Sequence, residues 1–199
     1  MSQGFISRRG GVGGGDSNTA FKAFVSGTLT NITADMIANC TVIGDYTFYH
    51  CAILQTVSIP ESVTTIGEHA FDNCTYLTSV TIPNSVITIG AYAFRNCHLY
   101  SITMPNSVTT IVGHAFRECT YLRVVMIGNG VTSIGDNAFY GCTSLTSVTV
   151  KATTPPTLGY GVFGNTNNSF VIYVPLESVD AYKAATNWST YASKIQAIP

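Results

Sequence analysis

The chain has 199 residues, of which 46% are hydrophobic and only 10% carry a charged side chain. Its formal net charge of -1 excludes the strongly basic surface that nucleic acids and anionic membranes attract. Mean hydropathy is positive, yet no apolar run approaches the roughly 18 residues of a membrane-spanning helix. Apolar residues recur at regular intervals instead, which predicts a core built in many thin slices.

Residues 1–20 are predicted to be a flexible segment, because glycine fills nearly every position from 10 to 15. Arg8 and Arg9 are not followed by an apolar stretch, so this start does not match a secretory signal. Without a signal, we expect a virion-associated or cytoplasmic protein if the chain is complete, and a cell-surface or secreted one otherwise.

A repeat of about 23 residues occupies 43–175. Its most regular phrase is Ile-Gly-x-x-Ala-Phe-x-x-Cys, as in residues 66–74. Successive phenylalanines are 23, 23, 22 and 23 residues apart, and the cysteines take the same steps: Phe48, Phe71, Phe94, Phe116 and Phe139. The single short step places a one-residue deletion near His98. A sixth, degenerate unit carries an insertion at Pro155-Pro156.

Each unit is predicted to contain two short strands. The alternation Leu77-x-x-Val80-x-Ile82 is typical of a strand with one buried face, and the following proline and Asn-Ser end it in a turn. A second apolar segment, Val86-x-x-Ile89, leads into a tight turn at Gly90. No unit can bury its apolar side alone, so stacked neighbours are expected to complete the core.

The two ends of the array are predicted to be capped. Residues 21–42 read as a degenerate capping repeat, in which Asp35 to Asn39 could form a helical turn. Residues 176–199 read as a helical cap, with Ser178 as an N-cap. Asn187 would cap a second helix that carries Trp188, Tyr191 and Ile195.

The consensus L-x-x-V-x-I-P-x-S-V-x-x-I-G-x-x-A-F-x-x-C resembles the BspA-like leucine-rich repeats over roughly residues 28 to 175. The resemblance implies a β-rich, right-handed solenoid that serves in adhesion or protein binding, without catalysis. The Gly-rich start, Gly4-Phe5-Ile6 with Arg8-Arg9-Gly10-Gly11, also looks like repeat proteins of gut-bacterial prophages.

Two surfaces are candidates for binding. On the strand face most exposed positions are Ser or Thr, but one turn departs from this pattern, and we predict contacts there at Tyr100, Arg123, Val124 and Met126. The alternative is a plain Thr-rich sheet face.

A second candidate surface is a column at one repeat position, with Tyr46, His69, Tyr92 and His114 in successive turns. The rings could stack on a sugar or a protein partner, or pack on one another along the array. His69 and His114 are two turns apart, roughly 10 Å, which is too far to share a metal ion.

The five regularly spaced cysteines lack the C-x-x-C spacing of zinc sites. We interpret them as a ladder of buried thiols that act as small hydrophobes, and inter-turn disulfides are the alternative. No nucleophile motif, P-loop or dinucleotide fingerprint occurs. The sequence therefore predicts no catalytic residues, no metal and no cofactor.

We expect a non-enzymatic recognition module that binds a protein or glycan partner on a cell surface. A structural component of a phage tail, docked to other virion proteins by its N-terminal segment, is the first alternative. An intracellular interaction scaffold is the second. The sequence does not indicate the oligomeric state, and neither nucleic-acid binding nor membrane insertion is expected.

Overall fold

A computed structural model of the protein describes residues 30–199. Short strands within this range stack in parallel along one axis and form three sheets. The predicted β-rich repeat solenoid is confirmed. The strands are β1 (Asn31–Ile32), β2 (Val42–Ile43), β3 (Thr56–Ser58), β4 (Thr65–Ile66), β5 (Ser79–Thr81), β6 (Thr88–Ile89), β7 (Ser101–Met104), β8 (Thr110–Ile111), β9 (Val124–Ile127), β10 (Ser133–Ile134), β11 (Ser147–Val150), β12 (Thr157–Leu158), β13 (Val171–Val174) and β14 (Ile195–Ala197).

The strands form two sides of the solenoid. We call β1, β3, β5, β7, β9, β11, β13 and β14 the face strands. The remaining strands, β2 to β12 in steps of two, form one continuous six-stranded back sheet. Neighbours in the back sheet keep one register, as in Ile66↔Ile89 and Ile89↔Ile111. Each turn therefore contributes one strand to each side, as the two apolar segments of the repeat predict.

The third side consists of the outer turns, which run from the glycine to the cysteine of each unit. These segments are also bonded from turn to turn, since the Phe71 N–H donates to the Ala93 carbonyl at 2.8 Å. The phenylalanines stack behind them, with ring centroids 5.1 to 5.7 Å apart from Phe48 to Phe163. This stack is the centre of a single core that runs the length of the array.

Glycine follows the isoleucine of the repeat phrase in every regular unit but one, in which Val112 holds this position, and successive turns approach closely there. A Cβ built on Gly90 would lie 2.6 Å from the carbonyl carbon of Gly67. Gly113 has more room, since its Cβ would lie 3.2 Å from the Asp136 carbonyl oxygen. The repeated glycine thus reflects backbone packing between turns.

The deletion lies between Cys97 and Leu99. In neighbouring units a leucine follows the cysteine by three residues and closes a turn, as the Leu77 N–H does with the Cys74 carbonyl at 2.9 Å. Leu99 follows Cys97 by only two residues, and no turn forms there. The face strands are divided at this point, because β5 pairs only with β3 and β7 only with β9.

The C-terminal cap contains a 3-10 helix at Leu176–Ser178, the helix α1 (Val179–Ala184) and a second 3-10 helix at Trp188–Lys194. The predicted helices are present, but three details differ. Asn187 precedes the second 3-10 helix, yet its side chain makes no capping hydrogen bond. Ile195 begins β14, which extends the face strands beyond β13. The Ser178 hydroxyl donates to the Thr153 carbonyl at 2.7 Å and does not cap α1.

Side chains of the cap replace the backbone of a further turn. In the preceding turn the Ile134 carbonyl accepts the Gly159 N–H at 2.8 Å. The equivalent Leu158 carbonyl accepts the Asn187 side-chain amide at 2.6 Å. The Trp188 indole N–H likewise donates to the Pro156 carbonyl at 2.7 Å. The end of the array therefore has its hydrogen bonds satisfied.

The N-terminal end begins in register with the solenoid, because β1 already pairs with β3. A 3-10 helix at Ala34–Ile37 stands near the predicted helical turn, with Ile37 buried. The glycine-rich segment predicted for residues 1–20 lies outside the described residues, as do residues 21–29 of the predicted capping repeat.

Candidate binding surface

The four predicted contacts on the strand face lie together on β7, β9 and the residues just before them. The Arg123 N–H donates to the Tyr100 carbonyl at 2.9 Å. Val124 pairs with Ser101 in the adjoining strand. Tyr100 is 53% exposed and Val124 38% exposed, Arg123 is exposed and Met126 is partly buried. They form an apolar patch within a face of serine and threonine.

Two further aromatic side chains extend this patch. The Tyr121 ring lies 6.3 Å from the Tyr100 ring in an edge-to-face arrangement, and 4.5 Å from the His98 ring. Tyr121 is 47% exposed. Sequence reasoning missed both, although Tyr76, His98 and Tyr121 hold equivalent positions just before the repeat leucine.

The predicted column of Tyr46, His69, Tyr92 and His114 lies on the outer turns and does not join the patch on the face. Its rings stack with centroids 4.6 to 4.7 Å apart and planes within 12° of parallel. Three of the four are only partly exposed, because each ring covers the faces of its neighbours. Mutual packing accounts for this column.

Every residue in this column has left-handed backbone geometry, with φ between 53° and 63°. The next two turns place Asn137 and Gly161 there, also at positive φ, as that geometry favours. Tyrosine and histidine are costly in this conformation, so the stack helps to stabilise the backbone of the outer turns.

A buried ion network stands beside the column. Asp72 is fully buried. Its carboxylate accepts a hydrogen bond from His69 Nδ1 at 2.6 Å and two from Arg95, Nε and Nη2, at 2.9 Å each. Asn73 donates to the same carboxylate at 2.8 Å. A carboxylate satisfied in this way positions the outer turns, and sequence reasoning missed it because this repeat position varies.

His114 lacks such a partner, since its Nδ1 atom is buried without a hydrogen bond. Desolvation lowers the pKa of His114, the charge of Arg117 lowers it further, and Asp136 opposes the shift. The ring is therefore held in its neutral form.

The cysteines point into the core as unpaired thiols, with Cys51 the most accessible. Each buried thiol of the ladder donates to a carbonyl of the preceding turn, as Cys74 does to Phe48 at 3.0 Å and Cys97 to Phe71 at 3.2 Å. Burial raises the pKa of Cys51 to about 12 and also raises the pKa of Cys97. These thiols are therefore poor nucleophiles.

Two grooves lie on the described part of the chain. One of about 500 Å³ lies between β5 and β7, where the face strands separate. A smaller one of about 230 Å³ adjoins the insertion at Pro155-Pro156. Sequence reasoning located both irregularities but did not predict either groove.

Within residues 30–199, no cluster of three or more His, Cys, Asp or Glu side chains is placed to hold a metal ion. No helix of the same range is long and apolar enough to cross a bilayer.

The chain belongs to a known repeat family. Residues 41–169 match the BspA type leucine rich repeat region in six copies. The resemblance predicted from the consensus is confirmed for the family, while the likeness to prophage repeat proteins stays a prediction. A comparison with curated proteins finds no match.

Solved structures of bacterial repeat proteins share the fold. A leucine-rich repeat protein from Bacteroides ovatus is 26% identical, with a TM-score of 0.60, over 74% of this chain and 45% of its own. The T. pallidum leucine rich repeat protein is 31% identical, with a TM-score of 0.60, over 68% and 62%. A leucine rich cell surface protein from Faecalibacterium prausnitzii is 28% identical, with a TM-score of 0.52, over 77% and 49%. The match thus spans less than two thirds of each of these relatives.

Proposed function

We propose that the protein is a non-enzymatic recognition module that binds a protein or glycan partner at a cell surface through its face strands. The observation that carries the proposal is the exposed patch around Tyr100 and Val124. Tyr100 stands where Thr78 and Thr146 stand in other turns, and Val124 stands where both adjoining turns have a serine, Ser101 and Ser147. Exposed aromatic and aliphatic side chains grouped on a rigid sheet are typical of binding sites.

Two observations support a location at a cell surface. One similar structure is that of a leucine rich cell surface protein, and a solenoid presents an extended surface that suits contact with another cell. The neutral face, with its many hydroxyls, favours a partner recognised by hydrogen bonds and apolar contact over one recognised by charge.

The test uses the full-length chain, labelled with a fluorophore and titrated onto whole bacterial cells and onto a glycan array. Tyr100→Thr combined with Val124→Ser introduces the residues that the preceding turn has at each of these positions, Thr78 and Ser101. We expect this double variant to weaken binding by at least about tenfold.

Ile87→Thr is the matched control. Ile87 is 48% exposed, it precedes β6 of the back sheet, and threonine holds the equivalent position in neighbouring turns. Binding that survives the double variant, or that is lost equally in the control, contradicts a site on the face strands. A chain that binds neither cells nor glycans contradicts the proposed function itself.

A further inference from the structure

The groove between β5 and β7 leaves backbone groups without the partners they have elsewhere. In the preceding turn the Ile59 N–H donates to the Thr81 carbonyl at 3.2 Å. The equivalent bond from Ile82 to Thr103 does not form, and a long contact of 3.5 Å from the Tyr100 N–H to the Thr78 carbonyl crosses the break. Hydrogen-bonding groups of two adjacent strands thus face a shared opening.

The opening also exposes part of the core. Val80 is partly exposed, whereas its equivalents in the neighbouring turns, Val57 and Ile102, are 2% exposed. The groove thus has an apolar floor, and its volume of about 500 Å³ is within the range of small-ligand sites.

The walls of the groove are polar and almost uncharged. Four hydroxyls and two amides line it: Ser79, Thr81, Ser101, Thr103, Asn84 and Asn106. Lys151 is the one charged residue in the lining, and no carboxylate is present. Such walls disfavour a cation and suit a ligand that offers many hydroxyl groups.

An added peptide strand does not fit this opening. Strand insertion would need to separate β5 from β7 by about two strand spacings, roughly 9.6 Å. The back sheet prevents this, because β6 and β8 of the same two turns remain paired at Thr88↔Thr110 and Ile89↔Ile111. The occupant must therefore be smaller than a strand or lie along the rim.

An exposed ring adjoins the start of β7, the strand that supplies one wall of the groove. Tyr100 is 53% exposed and directly precedes Ser101 of the groove wall. A sugar ring has an apolar face that packs on an aromatic ring and a rim of hydroxyls that requires donors and acceptors. Tyr100 and the polar walls supply both.

We propose that the groove between β5 and β7 binds a short oligosaccharide. The unpaired backbone groups and the hydroxyls of β5 and β7 bond the sugar rim, Val80 forms the floor, and Tyr100 covers one sugar face. This assignment rests on the proposed recognition function and names the chemical class of its ligand.

The first test closes the groove. Insertion of one threonine after Cys97 restores the Cys-x-x-Leu spacing of the neighbouring turns and should let β7 pair with β5. On an array of short plant, mucin and bacterial-wall oligosaccharides, we expect the full-length wild-type chain to bind and the insertion variant to lose its signal. Thermal unfolding by circular dichroism establishes that the insertion variant is folded.

The second test keeps the backbone intact. Ser101→Ala with Thr103→Val removes two hydroxyls of the wall, and calorimetric titration with the array hit should show at least a tenfold loss of affinity. Ser147→Ala with Thr149→Val is the matched control, since these residues hold the same positions on the paired strand β11, and its affinity should equal that of the wild type.

The outcomes separate the two proposals. Wild-type binding to cells that depends on Tyr100 and Val124, without binding to any oligosaccharide, overturns the sugar assignment and leaves the recognition function in place. Oligosaccharide binding that survives the insertion, or that falls equally in the β11 control, also overturns the groove assignment. Absence of all binding overturns both.

Discussion

The back sheet and the face strands respond differently to the same missing residue. At the deletion the back sheet continues without a break from β6 to β8, whereas the face strands separate between β5 and β7. The phenylalanine stack is also unaffected, since the ring centroid of Phe94 lies 5.1 Å from that of Phe71 and 5.2 Å from that of Phe116. One side of the solenoid thus maintains the spacing of the turns while the other accommodates the change.

The physical reason is that more contacts hold successive turns together on the outer turns than on the face strands at this point. On the outer turns the backbone is bonded from turn to turn, and phenylalanines and close glycines fix the spacing. The segment from Cys97 to Leu99 lies between the outer turns and the face strands, so a residue lost there shortens only the approach to β7. A sequence change can therefore reshape the face strands without disturbing the rest of the array.

The largest expected loss of stability comes from removing a ring of the phenylalanine stack, which maintains the spacing of the turns. Phe94→Ala deletes a fully buried ring that stacks on both neighbours, and it should reduce the free energy of unfolding by about 3–5 kcal/mol. Urea denaturation measures the loss. The control is Tyr76→Ala, which removes a ring that is 61% exposed and should cost little. Equal losses in the two variants would contradict the assigned role of the stack.

The next largest loss of stability is expected from a glycine substitution where two successive turns approach closely. Gly90→Ala places a Cβ 2.6 Å from the Gly67 backbone and should destabilise the protein by about 1–3 kcal/mol. Gly113→Ala places one 3.2 Å from the Asp136 carbonyl oxygen and should stay within about 1 kcal/mol of the wild type. Thermal melts of the two variants give the comparison, and the reverse order would contradict it.

A smaller difference in stability is expected between valine substitutions on the two sides of the break in the face strands. Val125 is fully buried, and Val125→Ala should cost about 2 kcal/mol by lost burial and cavity formation. Val80→Ala should cost about half as much, because this side chain already contacts solvent. If urea denaturation shows equal losses of unfolding free energy for the two variants, the break between β5 and β7 does not expose the core at Val80.

The smallest effect concerns pH. Burial and Arg117 lower the pKa of His114 in the folded protein, while the unfolded chain takes up the proton near pH 6.5. The unfolded state therefore binds more protons below about pH 6.5, and folding becomes less stable as the pH falls through this range.

His114→Asn removes the titrating group and keeps a residue that tolerates positive φ, as Asn137 does one turn later. The variant should lose less stability than the wild type between pH 7 and pH 5, as measured by urea denaturation at each pH. Parallel curves for the two proteins would show that His114 does not contribute to the dependence.

The period of the repeat made much of the fold predictable. Residues that recur at one spacing, such as Phe94 and Cys97, must lie at one position of the turn, so their burial follows from the pattern. The contacts at Tyr100 and Val124 were predictable as departures from that pattern, and their exposure agrees with it. Their role in binding stays a prediction.

Features that depend on how turns pack were not predictable. The short step near His98 was visible, but only the three-dimensional hydrogen bonding determines which side accommodates it. The network of Asp72 joins residues of two turns at a position where the repeat varies. Ile195 reads as helical by spacing, yet it pairs with Ile172, because an uncovered strand edge on β13 offers stronger stabilisation than another helical turn.

The side-chain donors of the C-terminal cap also constrain how the gene can evolve. The carbonyls of Leu158 and Pro156 are those to which another repeat would bond, and Asn187 and Trp188 already occupy them. Tandem duplication can therefore add copies upstream of the cap, where every unit offers the same bonds, but not beyond it. Homologues of different copy number are expected to keep this closing segment while their internal units multiply.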